Sequence, residues 1–283
     1  MFDKEAIKEL SRAEAISAAE TAIKGAMESD GLAALPGDFE IHDIEKHLPT
    51  RRRLRGSMQT AVIDHFASYV GSHAESGATV FVDKARMQAV AVLNLGNPDS
   101  PGHADNVSVL APDKTAAYIA LGKLLSTSFA TGLSQRDLAE FMEDWEPAIS
   151  CIDADGSVMS PKKAIDAVRR ITIDTARKVE STEGQLSAER SALEKVAASS
   201  GGNPLPATIT FKCDPYFGLS GREFGLRLSV RTGDVNKPAL ALALRLVKAE
   251  EHAEQMASEL AALVTEAIGG KAPVYVGSYS AKA

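Results

Sequence analysis

Apolar residues recur every three or four positions from Asp3 to about Ser29, with Ile7, Leu10, Ala13, Ile16, Ala19 and Ile23 set in an Ala-, Glu- and Lys-rich background. That spacing predicts an amphipathic helix. Gly31 and the turn Leu35-Pro36-Gly37 end it, so residues 1–30 read as an arm able to dock on the body or on a neighbouring subunit. Phe39, Ile41 and Ile44 alternate briefly before Pro49, which fits a short strand. Behind the run Arg51-Arg52-Arg53-Leu54-Arg55-Gly56, the stretch Thr60 to His73 carries Ile63, Phe66, Tyr69 and Val70 at helical spacing. Ala78–Val82 and Met87–Leu95 are β-rich segments around the polar turn Asp83-Lys84-Ala85-Arg86, and a hairpin is the economical assignment. Asn97 to Gly102 is a loop, Val107 and Val109 mark a further strand, and Thr115–Leu125 is helical.

Ser134 with Asp137 three residues on resembles a capping box with Asp in place of Glu, and it opens a helix that runs through Trp145 and closes at Pro147. Ser160-Pro161 is a cap followed by proline, so a helix starts there too. At Ile171, Ile173 and Thr175 the period changes to two, which predicts a strand; Arg190–Ala198 returns to helix, and Gly201 to Pro204 forms a linker. Ala207–Lys212, Phe224–Val230 and Ala239–Leu246 are strands. In the second, Phe224, Leu226, Leu228 and Val230 face one way while Arg227 and Ser229 face the other. Glu250–Ile268 is an amphipathic helix ended by Gly269-Gly270, and Val274–Val276 is a last short strand. The expected class is α+β: antiparallel β-hairpins with helices packed on one face, plus an N-terminal helical arm. The arm is residues 1–30, and residues 31–283 form a single body with a lobe boundary near 200–204.

Composition narrows the function classes. The 283 residues are 45% apolar and 24% charged, with a formal charge of -7, which describes an ordinary folded protein with no membrane-spanning run. No basic-then-apolar leader follows Met1, and Cys151 and Cys213 are too few for a disulfide framework, so a reducing cytoplasm is expected. Nucleotide and hydrolase signatures fail on spacing. Gly122-Lys123 lacks a glycine five residues earlier, and Gly218-Leu-Ser-Gly221 is neither a nucleophile elbow nor a dinucleotide loop. Asp153-Ala154-Asp155-Gly156 begins like a calcium loop, but Gly156 is fourth rather than sixth and Ala164 stands at position twelve. His42, Asp43 and His47 lie close in sequence, as do His103 and Asp105; neither group has an established metal-ligand spacing. No catalytic residue, cofactor or metal site is read.

Charge patterning gives the candidate contact patch. Glu140, Glu143 and Asp144 share one face of their helix while Phe141 and Trp145 share the other, as on a half-buried helix with a solvated acidic face. Arg51, Arg52, Arg53 and Arg55 concentrate positive charge on a chain whose pI is near 5.5. Guanidinium groups suit phosphate, but aromatic residues are only 5% and no nucleic-acid fold signature is present, so pairing with an acidic surface is preferred. The contact patch is therefore Arg51, Arg52, Arg53, Arg55, Glu143, Asp144 and Trp145.

Several motifs, taken together, resemble the YfdQ-like family of prophage and bacteriophage proteins. They are Arg55-Gly-Ser-Met-Gln-Thr60 with Phe66 and Tyr69, Thr79-Val-Phe-Val82, Pro101-Gly-His103, Ser134-Gln135 through Glu140 to Trp145, Ile171-Thr-Ile173, Arg190-Ser-Ala192, Pro215-Tyr216, Arg227 to Val230 with Thr232-Gly233, and Lys237-Pro238. Asn106 stands where the family leads one to expect a second histidine or similar polar group after Pro101-Gly-His103, which argues against a paired-histidine site. The resemblance implies a phage-derived gene in a bacterial cytoplasm and no catalytic residue. With the patterning, it leads to two expectations. The first is a non-enzymatic phage or prophage protein that self-assembles into a homo-oligomer, up to a large closed or shell-like particle. The alternative is an accessory nucleic-acid-binding factor in phage DNA transactions.

Overall fold

The computed structural model describes residues 4–28, 47–171, 204–232 and 240–280. The strand expected at Phe39–Ile41 and the turn before it, the alternation past Ile171, the Arg190–Ala198 helix and Gly201 to Asn203 lie outside these residues. The chain divides into two compact units, Met1–Leu54 and Arg55–Ala283. In the first, α1 spans Lys4–Glu28, with Ala19 buried and Leu10, Ile16 and Ile23 exposed.

The second unit is α+β and holds two five-stranded sheets. Its elements in chain order are β1 (Gly56–Thr60), α2 (Ile63–His73), β2 (Thr79–Asp83), β3 (Gln88–Val92), β4 (Gly96–Asn97), β5 (Ser100–Pro101), β6 (Asn106–Leu110), α3 (Ala116–Ala130), α4 (Gln135–Asp144), β7 (Ile149–Ile152), β8 (Val158–Met159), α5 (Pro161–Arg169), β9 (Thr208–Cys213), β10 (Arg222–Thr232), β11 (Leu240–Leu246), α6 (Ala249–Ile268) and β12 (Val274–Val276). The first sheet has the order β1-β6-β3-β2-β12 and the second β11-β10-β9-β7-β8. The second is antiparallel throughout. The first keeps the expected β2–β3 hairpin but is mixed, because β1 pairs with β6 and β12 with β2 in parallel. Hairpin patterning does not reveal those pairs: β1 is the weakly apolar Gly-Ser-Met-Gln-Thr, and it takes its strand conformation from β6 fifty residues on.

Alternation sorts each sheet into faces. In the first, Val80, Val82, Ala89, Ala91, Leu93 and Leu110 pack with Phe66 and Val70 of α2 and Met256, Leu260 and Val264 of α6. Along the opposite face Tyr275, Phe81, Val90 and Val109 lie in one cross-strand row, also apolar. In the second sheet Phe211, Phe224, Leu226, Leu228 and Leu242 pack with α3, α4 and α5, while Lys212, Glu223, Arg227 and Arg245 point outward into solvent. Helix starts match their caps: Ser134 accepts the Asp137 N–H at 3.0 Å while Asp137 accepts the Ser134 N–H at 3.1 Å, and Ser160 caps α5.

β11 is an edge strand of alternating Leu and Ala, the kind of edge that invites unwanted pairing. Here α3 and its C-terminal turn close it. Leu242 exchanges both backbone hydrogen bonds with Leu133, and the buried Ser128 hydroxyl accepts the Leu244 N–H at 2.7 Å and donates to its carbonyl at 3.2 Å. Ser128→Ala strands both groups out of water, at an expected cost of about 1–3 kcal/mol. An unchanged urea midpoint would show that the hydroxyl is not the partner those groups depend on.

Candidate interaction surface

The acidic half of the sequence-predicted patch lies at the C-terminal end of α4, beside α3. Between them lies a groove of about 330 Å³, lined by Ala120, Lys123, Leu124 and Thr127 of α3, Leu133 of the connecting turn, and Asp137, Glu140, Phe141, Asp144 and Trp145. The apolar side of α4 faces inward: the Phe141 and Trp145 rings lie 5.3 and 5.8 Å from that of buried Phe211. The acidic side faces out. Arg136 pairs with Glu140 at 2.6 Å, and Arg169 of α5 pairs with Glu143 at 2.7 Å. The carboxyl of Asp137 is held below the usual carboxylate range by the Ser134 hydroxyl and N–H. Glu140 and Glu143 are thus already paired within the chain, whereas Asp144 and half-buried Trp145 line the open groove.

The basic half is divided between the two units, with Arg51, Arg52 and Arg53 in the first and Arg55 in the second. Arg51 and Arg52 are exposed, Arg53 is half-buried and Arg55 is exposed, and the division between the two units falls between Leu54 and Arg55. Arg55 leads directly into β1, an edge of the first sheet, while Glu143, Asp144 and Trp145 belong to the helical layer on the second.

On its other flank α3 borders a cavity of about 510 Å³, lined by Lys114, Tyr118, Ile119, Leu121, Gly122, Lys123, Leu125 and Ser126 with Leu246 of β11. Leu246 follows Leu242 and Leu244 by the two-residue alternation, so its backbone groups point toward α3 as theirs do. The outer ridge carries Ile119, Lys123, Ser126 and Phe129, of which Phe129 is 92% exposed. No sequence signal distinguished Phe129, because α3 is apolar on both faces and gives no clear inward direction.

The remaining sequence candidates take structural places. Asp153 Oδ1 accepts the N–H groups of Asp155 and Ser157 at 3.0 and 2.8 Å, making the calcium-like segment the turn from β7 to β8. In Pro101-Gly102-His103, a Cβ on Gly102 would lie 2.0 Å from the Asn94 carbonyl oxygen, so the glycine permits a backbone crossing. Asp105 accepts from Asn94 Nδ2 at 2.9 Å, Asn94 Oδ1 accepts the Asn106 N–H at 3.0 Å, and His103 is exposed. His42 and Asp43 lie outside the described residues, and His47 is exposed. Among the described residues, no group of three or more His, Cys, Asp or Glu is placed to hold a metal ion. Burial pushes the thiol of Cys151 up to about 12 and, with help from Asp214, that of Cys213 up to about 11, so both stay protonated and unreactive at neutral pH.

One polar cluster was not legible in the sequence. Arg222 of β10 pairs with Glu259 of α6 at 2.6 Å and donates to Gln255 at 3.0 Å, while Glu259 accepts the Ser220 N–H at 2.7 Å. These contacts tie the second sheet to the helix that covers the first. Beside them the His252 ring lies 4.9 Å from Phe224, its Nδ1 buried without a partner among the described residues. Burial first, and the Arg222 charge second, hold its pKa below the ordinary 6.5, against the nearby Glu251. The unfolded chain therefore takes up this proton before the folded one. The associated stability is complete above about pH 6.5 and lost as pH falls below it, whereas Glu259, held low by Ser220 and Arg222 against its burial, matters only below its ordinary 4.5. The urea midpoint of wild type is expected to fall between pH 7.5 and 5.5 more than that of His252→Gln; equal falls would assign the titration to another group.

A family model described as "Uncharacterized conserved protein (DUF2303)" matches residues 4–279. The chain belongs to the DUF2303 family. Among the described residues, the match spans α1 and every strand and helix of the second unit, so it reaches into both compact units of this DUF2303 protein. No curated protein and no solved structure matches the chain. Among the described residues, no helix is long and apolar enough to cross a membrane.

Proposed function

We propose that this chain is a non-enzymatic, phage- or prophage-derived protein of the bacterial cytoplasm, and that it assembles with copies of itself into a closed homo-oligomer, up to a shell-like particle. The observation that carries this is the outer face of α3, where Phe129 is 92% exposed and Ile119 56% exposed above a helix whose inner face is already packed. A helix apolar on both sides is built to pack on both sides. Three further features support it: the apolar row Tyr275, Phe81, Val90 and Val109 on the first sheet, the exposed Leu10, Ile16 and Ile23 of α1, and the placement of acidic and arginine-rich segments on different elements. Repeated unlike contacts of this kind close into symmetric particles when the rotation between subunits allows it. The phage origin rests on the resemblance of the ordered sequence motifs to the YfdQ-like proteins.

Nucleic-acid binding is the alternative, favoured by the exposure of Arg51 and Arg52. Light scattering of the purified chain at low and high salt, with ultraviolet absorbance for co-purifying nucleic acid, separates the two. A large, uniform, nucleic-acid-free particle is expected. A small species that carries nucleic acid and sheds it in salt would select the alternative.

A further inference from the structure

The two flanks of α3 differ in charge. In the 510 Å³ cavity, Lys114 and Lys123 are the only charged lining side chains among the described residues, above an apolar floor of Tyr118, Leu121, Leu125 and Leu246. In the 330 Å³ groove, the carboxylates of Asp137, Glu140 and Asp144 outnumber Lys123, which stands on the ridge between the two spaces and lines both, and Arg136, which pairs with Glu140; the floor is Leu124, Phe141 and part of Trp145. At helical spacing Phe129 shares its flank with Tyr118, Gly122 and Leu125, which border the 510 Å³ cavity on the side of Lys114. Gly122 and Ser126 are small and exposed, and a Cβ added at Gly122 meets nothing within 4 Å, so another chain can come close along this ridge.

We propose that the occupant of the acidic groove is a second copy of this chain: the lysine flank of α3 in one copy packs into the groove between α3 and α4 of the next. Phe129 enters beside Phe141 and Trp145, and Lys114 and Lys123 meet Asp137, Glu140 and Asp144. The inference rests on the self-assembly proposed above and names its contact. Burial of an aromatic side chain supplies the attraction, and the unlike charges set the register and exclude the like-flank pairing. The contact joins different surfaces on the two copies, so it propagates until it closes.

Mixing two charge-reversed variants tests this. Lys114→Glu/Lys123→Glu sets acid against acid, and Glu140→Lys/Asp144→Lys sets base against base, so each alone is expected to drop to a much smaller species at low salt. Mixed in equal amounts, each variant complements the other, and particles of wild-type mass are expected to return. The substituted side chains are exposed, and far-ultraviolet circular dichroism verifies that both variants fold; the milder Lys114→Gln/Lys123→Gln, expected to give an intermediate mass, replaces the first if it does not. If wild type assembles and the reversed variants assemble equally well, or dissociate without rescue on mixing, this contact is wrong while self-assembly stands. A wild-type monomer overturns both.

Discussion

Replacing Phe211 by Ala is expected to cost about 3–5 kcal/mol, the largest single loss of stability anticipated for this chain. Phe211 is fully buried on β9, where Phe141 and Trp145 of the acidic helix both pack against its ring. Removing the ring leaves a cavity that fixed backbone elements cannot fill, and it takes away the support that sets the floor of the α3–α4 groove. Trp145 is the sole tryptophan, so its fluorescence reports on that floor directly. A urea titration should show the lost stability, with emission shifted to longer wavelength already in the folded state. A loss well under about 1 kcal/mol would mean that the site collapses around the deletion and that the groove does not depend on this ring.

Phe129→Glu is expected to have the largest effect on assembly with almost none on stability. At 92% exposure the side chain makes little contribution to its own fold, so urea midpoints of wild type and variant should coincide. In the proposed contact, a carboxylate in its place carries negative charge toward Asp137, Glu140 and Asp144 of the second copy, and burial there would leave it without a partner. Sedimentation should show the mass falling to that of a small species. Retention of the wild-type mass would remove Phe129 from the interface.

Much of this fold was legible where the code is local. Ser134 with Asp137 and Ser160 with Pro161 located two helix starts to the residue, because a cap satisfies backbone groups within one turn. The alternation of Phe224, Leu226, Leu228 and Val230 named the buried face of β10, because a sheet with one wet face enforces period two. What was not legible depends on distant partners. β1 has no strand pattern of its own and pairs with β6 in parallel; β7 and β8 are too short to show a period, and they flank a turn built by Asp153.

The same divide runs through the site. The split of α4 into an acidic side and an aromatic side follows from spacing alone, and Glu143, Asp144 and Trp145 take those places. Pairing of Glu143 with Arg169 and of Arg222 with Glu259 joins positions 26 and 37 residues apart, and Ser128 reaches Leu244 across 116; no local pattern marks them. Phe129 was hidden for a different reason. In a helix with apolar residues on both faces, periodicity cannot say which side the core takes, and only the packing of Leu121, Leu124 and Ser128 against the second sheet leaves Phe129 outside.

The central claim, that copies of this chain close on one another, is tested most directly by negative-stain electron microscopy of the purified wild-type protein at low salt. Closed particles of one diameter are predicted, built from many copies. A field of separate subunits at concentrations where the protein is fully folded would contradict it.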